Sequence, residues 1–365
     1  MKSEKLKGRK TPLYDVHRKL GGRMVEFSGW LMPVQYESII KEHEAVRYNA
    51  GIFDVSHMGE FLLKGRDIIS FLQYIMINDL KLLEVSKGQY SCMCYENGTV
   101  VDDLMYYEEK EDLFRMIVNA GNIEKDFQWL NQHIMGQDVK VQNLSSERGR
   151  LAFQGPKTDD LLQPLLDVEL SNIKRFYFRH CNLNNMPIFI ARTGYTGERG
   201  FEISFDNSYS VEIWDSLMST GAKPAGLGAR DSLRLEACYS LYGHEINDSI
   251  TPIEAGLSWL VKPKEGIDYI GKEILMTQKF KGTERILVGL NLIDKGIIRE
   301  NYKIFKGGEQ IGYVTSGGFS PTLKKTIGLG LVKTQHKKIG TEIEIEIRGK
   351  LLKGKIVDTP FYRNV

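Results

Sequence analysis

Between residues 286 and 357 the chain breaks into six short runs of strand-forming residues, 286–292, 302–305, 310–314, 327–332, 342–347 and 351–357, separated by Lys, Gly and Asp turns. This spacing predicts a small all-β barrel or sandwich at the C-terminal end. Upstream the rhythm differs, because strand and helix patterns alternate, so the chain divides. Its 365 residues exceed what one hydrophobic core usually serves, which sets the expectation at two or three domains.

The first 36 residues open on a basic run, Lys2 to Lys10, and continue as an irregular aromatic segment from Thr11 to Tyr36. Residues 37–50 read as a helix stopped by Gly51, 52–60 as a strand and turn carrying His57, and 67–76 as an amphipathic helix. His57 is read as a hydrogen-bonded structural histidine rather than a catalytic base. Strand 113–118, helix 123–134, strand 139–141, strand 150–156, helix 159–166 and the buried strand 187–192 follow. The order is α+β, with a mostly antiparallel sheet and helices on one face, as in split βαβ folds. Residues 262–285, charged and glycine-punctuated around one helix at 273–280, read as a linker.

Within this pattern one hairpin carries chemistry. Two strand-like runs flank Asn97-Gly98, a strong signal for a tight β-hairpin. Asp102 and Asp103 sit in the second run, where aspartate is disfavoured unless something rewards its charge. Alternation sends the two carboxylates to opposite faces, which excludes a shared-proton dyad or a common metal site. The expectation is one aspartate exposed near the turn and the other facing a pocket. Two solvated aspartates on an edge hairpin are the bland alternative.

Two glycine-rich stretches invite nucleotide readings, and both fail on context. Thr193-Gly-Tyr-Thr-Gly-Glu-Arg-Gly200 joins two strands and lacks the Gly-Lys-Ser/Thr ending of a P-loop. Gly226-Leu-Gly-Ala-Arg-Asp231 opens a helix, expected over 229–241, but lacks the third glycine of a dinucleotide fingerprint. Its glycines are expected to allow close backbone approach. Arg230 at that helix start opposes the macrodipole, so a bound anion or a carboxylate partner is expected beside it.

Composition narrows the class. The chain is 42% hydrophobic and 26% charged with a net charge of +2, ordinary for a globular protein and too mild to argue for nucleic acid. No apolar run reaches membrane-spanning length and no apolar segment follows the basic start, so a cytoplasmic location is expected. Cys92, Cys94, Cys181 and Cys238 form no disulfide or zinc pattern and are read as reduced and packed in or near the core.

Beyond the local readings, the chain carries Thr11-Pro-Leu-Tyr14, Phe53-Asp-Val-Ser-His-Met-Gly59, Val101-Asp-Asp-Leu104, Phe153-Gln-Gly-Pro156, Arg192-Thr-Gly-Tyr-Thr-Gly197, Gly226-Leu-Gly-Ala-Arg-Asp231 with Arg234-Leu-Glu236, and Thr315-Ser-Gly with Ser320-Pro-Thr-Leu323. Together these motifs resemble the T-protein of the glycine cleavage system, the folate-dependent aminomethyltransferases, from about Thr11 to Arg363. Thr99, where the family usually has a second glycine, and Glu26, where it commonly has aspartate, are departures.

The resemblance implies a three-domain cloverleaf around a central folate channel. Two interleaved, ferredoxin-like α+β regions fill 1–275, one about 1–55 plus 145–275 and the other about 56–144, and a β-barrel fills 276–365. It implies transfer of a methylene unit from the aminomethyl-lipoyl arm of the H-protein to tetrahydrofolate, with release of ammonia and no metal, flavin or NAD. The family's key acid falls on Asp103, and its folate contacts fall on Tyr90, Tyr195, Glu202 and Arg230. The basic termini and barrel lysines (Lys324, Lys325, Lys337, Lys338) are candidates for steering an acidic carrier. Neither a nucleic acid nor a membrane is implied as a partner.

Overall fold

The structure, a computed structural model, describes residues 7–262 and 266–363. The chain forms two compact units, one from Met1–Ile68, Leu83–Gln89 and Met105–Leu233, the other from Ile69–Leu82, Tyr90–Leu104 and Arg234–Val365. Most of the basic N-terminal run, including Lys2 and Lys5, lies outside the described residues.

The first unit is organised by a six-stranded sheet in the order Phe178–Leu183, Met186–Ala191, Gly200–Asp206, Arg148–Gln154, Gly51–Asp54, Lys223–Pro224. Strand Gly200–Asp206 shows how the sequence builds it. Its period of two sends Phe201, Ile203 and Phe205 into a core with Ile213, Trp214 and Leu217 of helix Ser210–Met218, leaving Glu202 and Ser204 on the opposite face. Strands Gly59–Lys64, Leu113–Val118 and Lys140–Asn143 pair antiparallel beside it in sequence. The segment 11–36, expected to be irregular, instead contains helix Tyr14–Lys19 and the paired strands Arg23–Phe27 and Trp30–Gln35. The linker reading of 262–285 also fails. Ile267, Tyr269 and Leu275 belong to a core with Cys92, Cys94 and Val100, and helix Lys272–Lys281 is part of the second unit. Residues 263–265 of that stretch lie outside the described residues.

The second unit contains a closed six-stranded barrel, Arg285–Leu292, Lys325–Lys333, Glu309–Ser320, Lys303–Lys306, Glu342–Ile347, Lys350–Val357. Glu342–Ile347 reads Glu-Ile-Glu-Ile-Glu-Ile, and Ile343, Ile345 and Ile347 fill the barrel while the glutamates stay outside. Glu342 and Glu344 face Lys355 and Lys353 across the neighbouring strand, a favourable opposite-charge pairing. Strand Glu309–Ser320 is longer than expected because a bulge between Val314 and Ser316 lets it continue through Gly317 and Gly318.

The predicted hairpin is present, with strands Gly88–Cys94 and Val100–Lys110 as neighbours in one sheet. Its loop is a three-residue form. Gly98 N donates to Tyr95 O and Tyr95 N donates to Thr99 O, both at 2.9 Å, and Gly98 takes φ of +80°. Thr99 donates its hydroxyl to Asn97 Oδ1 at 2.7 Å, a local bond that glycine could not make.

Candidate active site

The chain places the five candidate residues in two groups, one in each unit. In the second unit, Tyr90 donates its phenol to Asp103 Oδ2 at 2.8 Å, linking the two hairpin strands. The Tyr90 ring lies 6.1 Å from that of Trp259 at an interplanar angle of 27°. Trp259 is 54% exposed, a large apolar surface beside the pair, and no periodicity in its neighbourhood signalled it.

Alternation separates the two aspartates as expected, but their exposures are not as expected. Asp102 is fully buried and Asp103 is half-buried, so neither is a solvated aspartate near the turn. The turn end of the hairpin is itself packed. Val100 donates to Asn247 O and Ile250 O and joins the core with Ile246 and Ile250, so the residues after it are enclosed.

In the first unit, the Arg230 guanidinium carbon lies 4.6 Å from the centroid of the Tyr195 ring. Arg230 Nη1 is buried and has no hydrogen-bond acceptor among the described residues. Burial lowers its pKa, against the stabilising charge of Glu202 and the Tyr195 phenol. The expected carboxylate partner is therefore within electrostatic range without being hydrogen-bonded. Arg230 stands on helix Leu227–Glu236, which begins two residues earlier and ends five residues earlier than the sequence pattern indicated. A Cβ at Gly226 would come within 2.5 Å of the Val34 carbonyl carbon, and one at Gly228 within 2.5 Å of Ile39, so these glycines do allow close approach.

Glu202 projects from strand Gly200–Asp206 and accepts from Thr193 Oγ1 at 2.7 Å. The loop carrying Thr193 and Tyr195 is fixed by Gln154, whose Nε2 donates to Thr193 O at 3.1 Å and whose Oε1 accepts from Thr196 at 2.9 Å. A Cβ at Gly194 would lie 1.9 Å from Gln154, which gives that glycine and the Phe-Gln-Gly-Pro motif one shared steric reason.

His57 differs from its structural reading. It is 2% exposed, its Nδ1 has no hydrogen-bond partner among the described residues, and its ring stands edge-on to Phe27 at 5.7 Å. Burial pushes its pKa down to about 4, opposed by Asp54 and reinforced by Arg230. Asp54 is engaged by Thr11, Ser56 and His17 at 2.7, 2.9 and 2.9 Å. Because the folded pKa of about 4 lies below the ordinary 6.5, the unfolded chain binds the proton first, and stability falls as pH drops through that window. Between pH 7 and 4.5 the wild-type protein should lose roughly 2–3 kcal/mol more than His57→Asn, measured by urea unfolding at both pH values. Equal losses would show that His57 does not titrate with folding.

All four cysteines are free thiols, Cys92 and Cys94 buried, and burial raises the Cys181 and Cys238 thiols to about 12. Among the described residues no cluster of three or more His, Cys, Asp or Glu could hold a metal, and no helix is long and apolar enough to cross a membrane.

An α+β region followed by a closed six-stranded barrel is the architecture of the T-protein class of group-transfer enzymes. Residues 13–265 match the GCVT N-terminal domain and 285–363 the glycine cleavage T-protein C-terminal barrel domain. The chain belongs to the aminomethyltransferase family of the glycine cleavage system. It is 51% identical to an aminomethyltransferase of Geobacillus sp. over 97% of this chain and 99% of the relative, and 49% identical to one of Alkaliphilus metalliredigens over 97% and 98%. The crystal structure of the aminomethyltransferase T of Bartonella henselae superposes with a TM-score of 0.92 at 34% identity, covering 97% of this chain and 98% of that one.

Proposed function

We propose that this aminomethyltransferase moves a methylene unit from the aminomethyl-lipoyl arm of an H-protein to tetrahydrofolate, with Asp103 as the catalytic carboxylate. The reading rests chiefly on the bond that holds the Asp103 carboxylate to the Tyr90 phenol at 2.8 Å. Cleavage of the carbon–sulfur bond releases the lipoyl thiol and leaves the carbon as an iminium-like cation. Two folate nitrogens then form bonds to that carbon, ammonia departs, and the folate protons are passed on. The carbon stays at the formaldehyde oxidation level throughout, so no electron acceptor is required.

An ionised carboxylate fixed beside developing positive charge, where water is scarce, stabilises that charge by more than it could in water. Asp103 can also orient or deprotonate the attacking nitrogen. Tyr90 and Tyr195 supply apolar faces with polar tips to a flat pterin, Glu202 supplies acceptors for its amide-like edge, and Arg230 supplies an unpaired donor for the carboxylates of the glutamate tail. We assign the folate-binding region to about 1–275 and the barrel to about 276–365, with family matches that end at 265 and resume at 285 on either side of helix Lys272–Lys281.

Tetrahydrofolate should raise the melting temperature, since a ligand that binds only the native state stabilises it by mass action. Arg230→Ala should weaken the apparent affinity by about tenfold or more, which is ~1.4 kcal/mol of binding. An unchanged tetrahydrofolate response in Arg230→Ala would remove Arg230 from the folate site.

A further inference from the structure

On the first unit, a groove of about 370 Å³ is lined by Arg115, Arg148, His180, Asn182 and Ser204, with Phe189 and neighbouring apolar residues as its other wall. None of these belongs to the group around Arg230. Glu202 and Ser204 are two residues apart on one strand face, so the groove begins about 7 Å further along the sheet.

Beneath the groove lies a buried ion cluster with Glu60 at its centre. Glu60 accepts from Arg115 Nη1, from Arg150 Nη2 at 3.1 Å and from Ser204 Oγ at 2.5 Å. Burial alone would raise its carboxyl, but Arg115 and Arg150 hold it below the usual carboxylate range. Arg115 also donates Nε to Glu109 at 2.6 Å, and Glu109, likewise held down against burial by His180 and Arg115, meets His180 Nε2 at 3.2 Å. The cluster therefore gathers three guanidinium ions, Arg115, Arg148 and Arg150, around the buried carboxylates of Glu60 and Glu109, with the exposed Asp206 carboxylate in electrostatic range of Arg148.

Arg148 is the most loosely held of the three. Its Nε is 3.9 Å from Glu60, beyond a hydrogen bond, because the Glu60 oxygens are already engaged by two arginines and a serine. Arg148 Nε is buried without an acceptor among the described residues, and so is Arg150 Nη1, while the Arg148 side chain as a whole is 34% exposed and lines the groove. Asp206 faces Arg148 in the strand register, but it is exposed and its Oδ1 accepts from Ser208 N and Oγ at 3.0 and 2.6 Å. Asn182 donates its amide to Asp167 Oδ2 at 2.6 Å. A desolvated guanidinium N–H with no acceptor is costly, and the planar fork matches a carboxylate or phosphate group best.

We propose that this groove is a binding site for a small oxyanion, a phosphate or the carboxylate of a small metabolite, held by Arg148 with Arg115. The bound anion supplies an acceptor for the exposed part of the Arg148 guanidinium. The site is separate from the one proposed for folate.

Melting curves at constant ionic strength, with chloride replaced by inorganic phosphate in one series and by succinate in another, test the proposal. A saturable rise is expected in the wild-type protein, and the tighter of the two anions identifies the source. Arg148→Gln should weaken that response at least tenfold, and Arg363→Gln, at an exposed pair with Asp358, should leave it unchanged. Tetrahydrofolate should stabilise Arg148→Gln as it does the wild type, which keeps this result apart from the folate reading. Should Arg148→Gln fold poorly, a selenate soak of wild-type crystals decides the question by an anomalous peak against Arg148 and Arg115. An undiminished anion response in Arg148→Gln, or a selenate map with no peak in the groove, overturns the site.

Discussion

Asp103→Asn should lower turnover by about three orders of magnitude while the protein still folds and still binds tetrahydrofolate. Asparagine keeps the shape of the side chain and an oxygen that can accept the Tyr90 phenol, which now lies 2.8 Å from Oδ2. What it lacks is the negative charge, and removing one preorganised group that stabilises transition-state charge costs roughly 10²–10³ in turnover. The assay is single-turnover formation of methylenetetrahydrofolate from aminomethylated H-protein, beside a melting curve with and without tetrahydrofolate. Tyr90→Phe should cost only about tenfold, since it loosens the carboxylate without neutralising it. Asp102→Asn is a poor control, because Asp102 is fully buried and its substitution disturbs the hairpin directly. If Asp103→Asn kept a tenth or more of wild-type turnover, the electrostatic role would be wrong.

Glu245→Ala should destabilise the second unit by roughly 3–5 kcal/mol, the usual effect of removing one partner from a buried ion pair. Arg234 and Glu245 have side chains 2% and 0% exposed and meet at 2.9 Å. Glu245 also accepts from Leu241 N at 3.1 Å and Thr315 Oγ1 at 2.7 Å, and Arg234 donates to Ser316 at 2.8 Å. The alanine variant removes the carboxylate from a buried guanidinium that keeps Ser316 Oγ and the Tyr239 carbonyl among its acceptors. Urea unfolding read by far-UV circular dichroism measures the loss. The double replacement Arg234→Met with Glu245→Leu should recover part of it, because an apolar pair of similar volume carries no unpaired charge. A double variant less stable than Glu245→Ala would show that the hydrogen bonds to Thr315 and Ser316, rather than charge balance, stabilise this junction.

The parts of the fold that could be read from sequence are those where local pattern and tertiary burial agree. The Glu-Ile alternation of 342–347 is such a case, since every isoleucine points into the barrel. The hairpin was legible from Asn97-Gly98, but its loop length was not, because the choice depends on Gly98 alone taking φ of +80°. Strands Arg23–Phe27 and Trp30–Gln35 escaped notice because Pro33 and the glycines at 22 and 29 interrupt any alternation, and a register shift follows Arg23. Ile267 and Tyr269 looked like isolated apolar residues in a charged stretch. Their burial comes from Cys92, Cys94 and Val100, partners far away in sequence.

At the candidate site, the family motifs point to Tyr90, Asp103, Tyr195, Glu202 and Arg230, and the fold joins Tyr90 to Asp103 and Arg230 to Tyr195. Trp259 had no motif to announce it, and the missing acceptor of Arg230 Nη1 is a property of three-dimensional packing alone. The same holds for Arg148, whose position in a charge cluster depends on how Glu60 distributes its oxygens.

The hairpin's packing against Asn247 and Ile250 bears on how the chain is made. Val100 leaves the ribosome long before the two carbonyls that receive its amide exist. At a synthesis rate of ~5–20 residues per second, the wait is on the order of ten seconds. During that time Val100, Cys92 and Cys94, all fully buried in the finished protein, lack the partners that enclose them. The nascent hairpin is thus an apolar surface that a chaperone can occupy, and the carboxylate proposed to do the chemistry is set in place only once translation has passed residue 250.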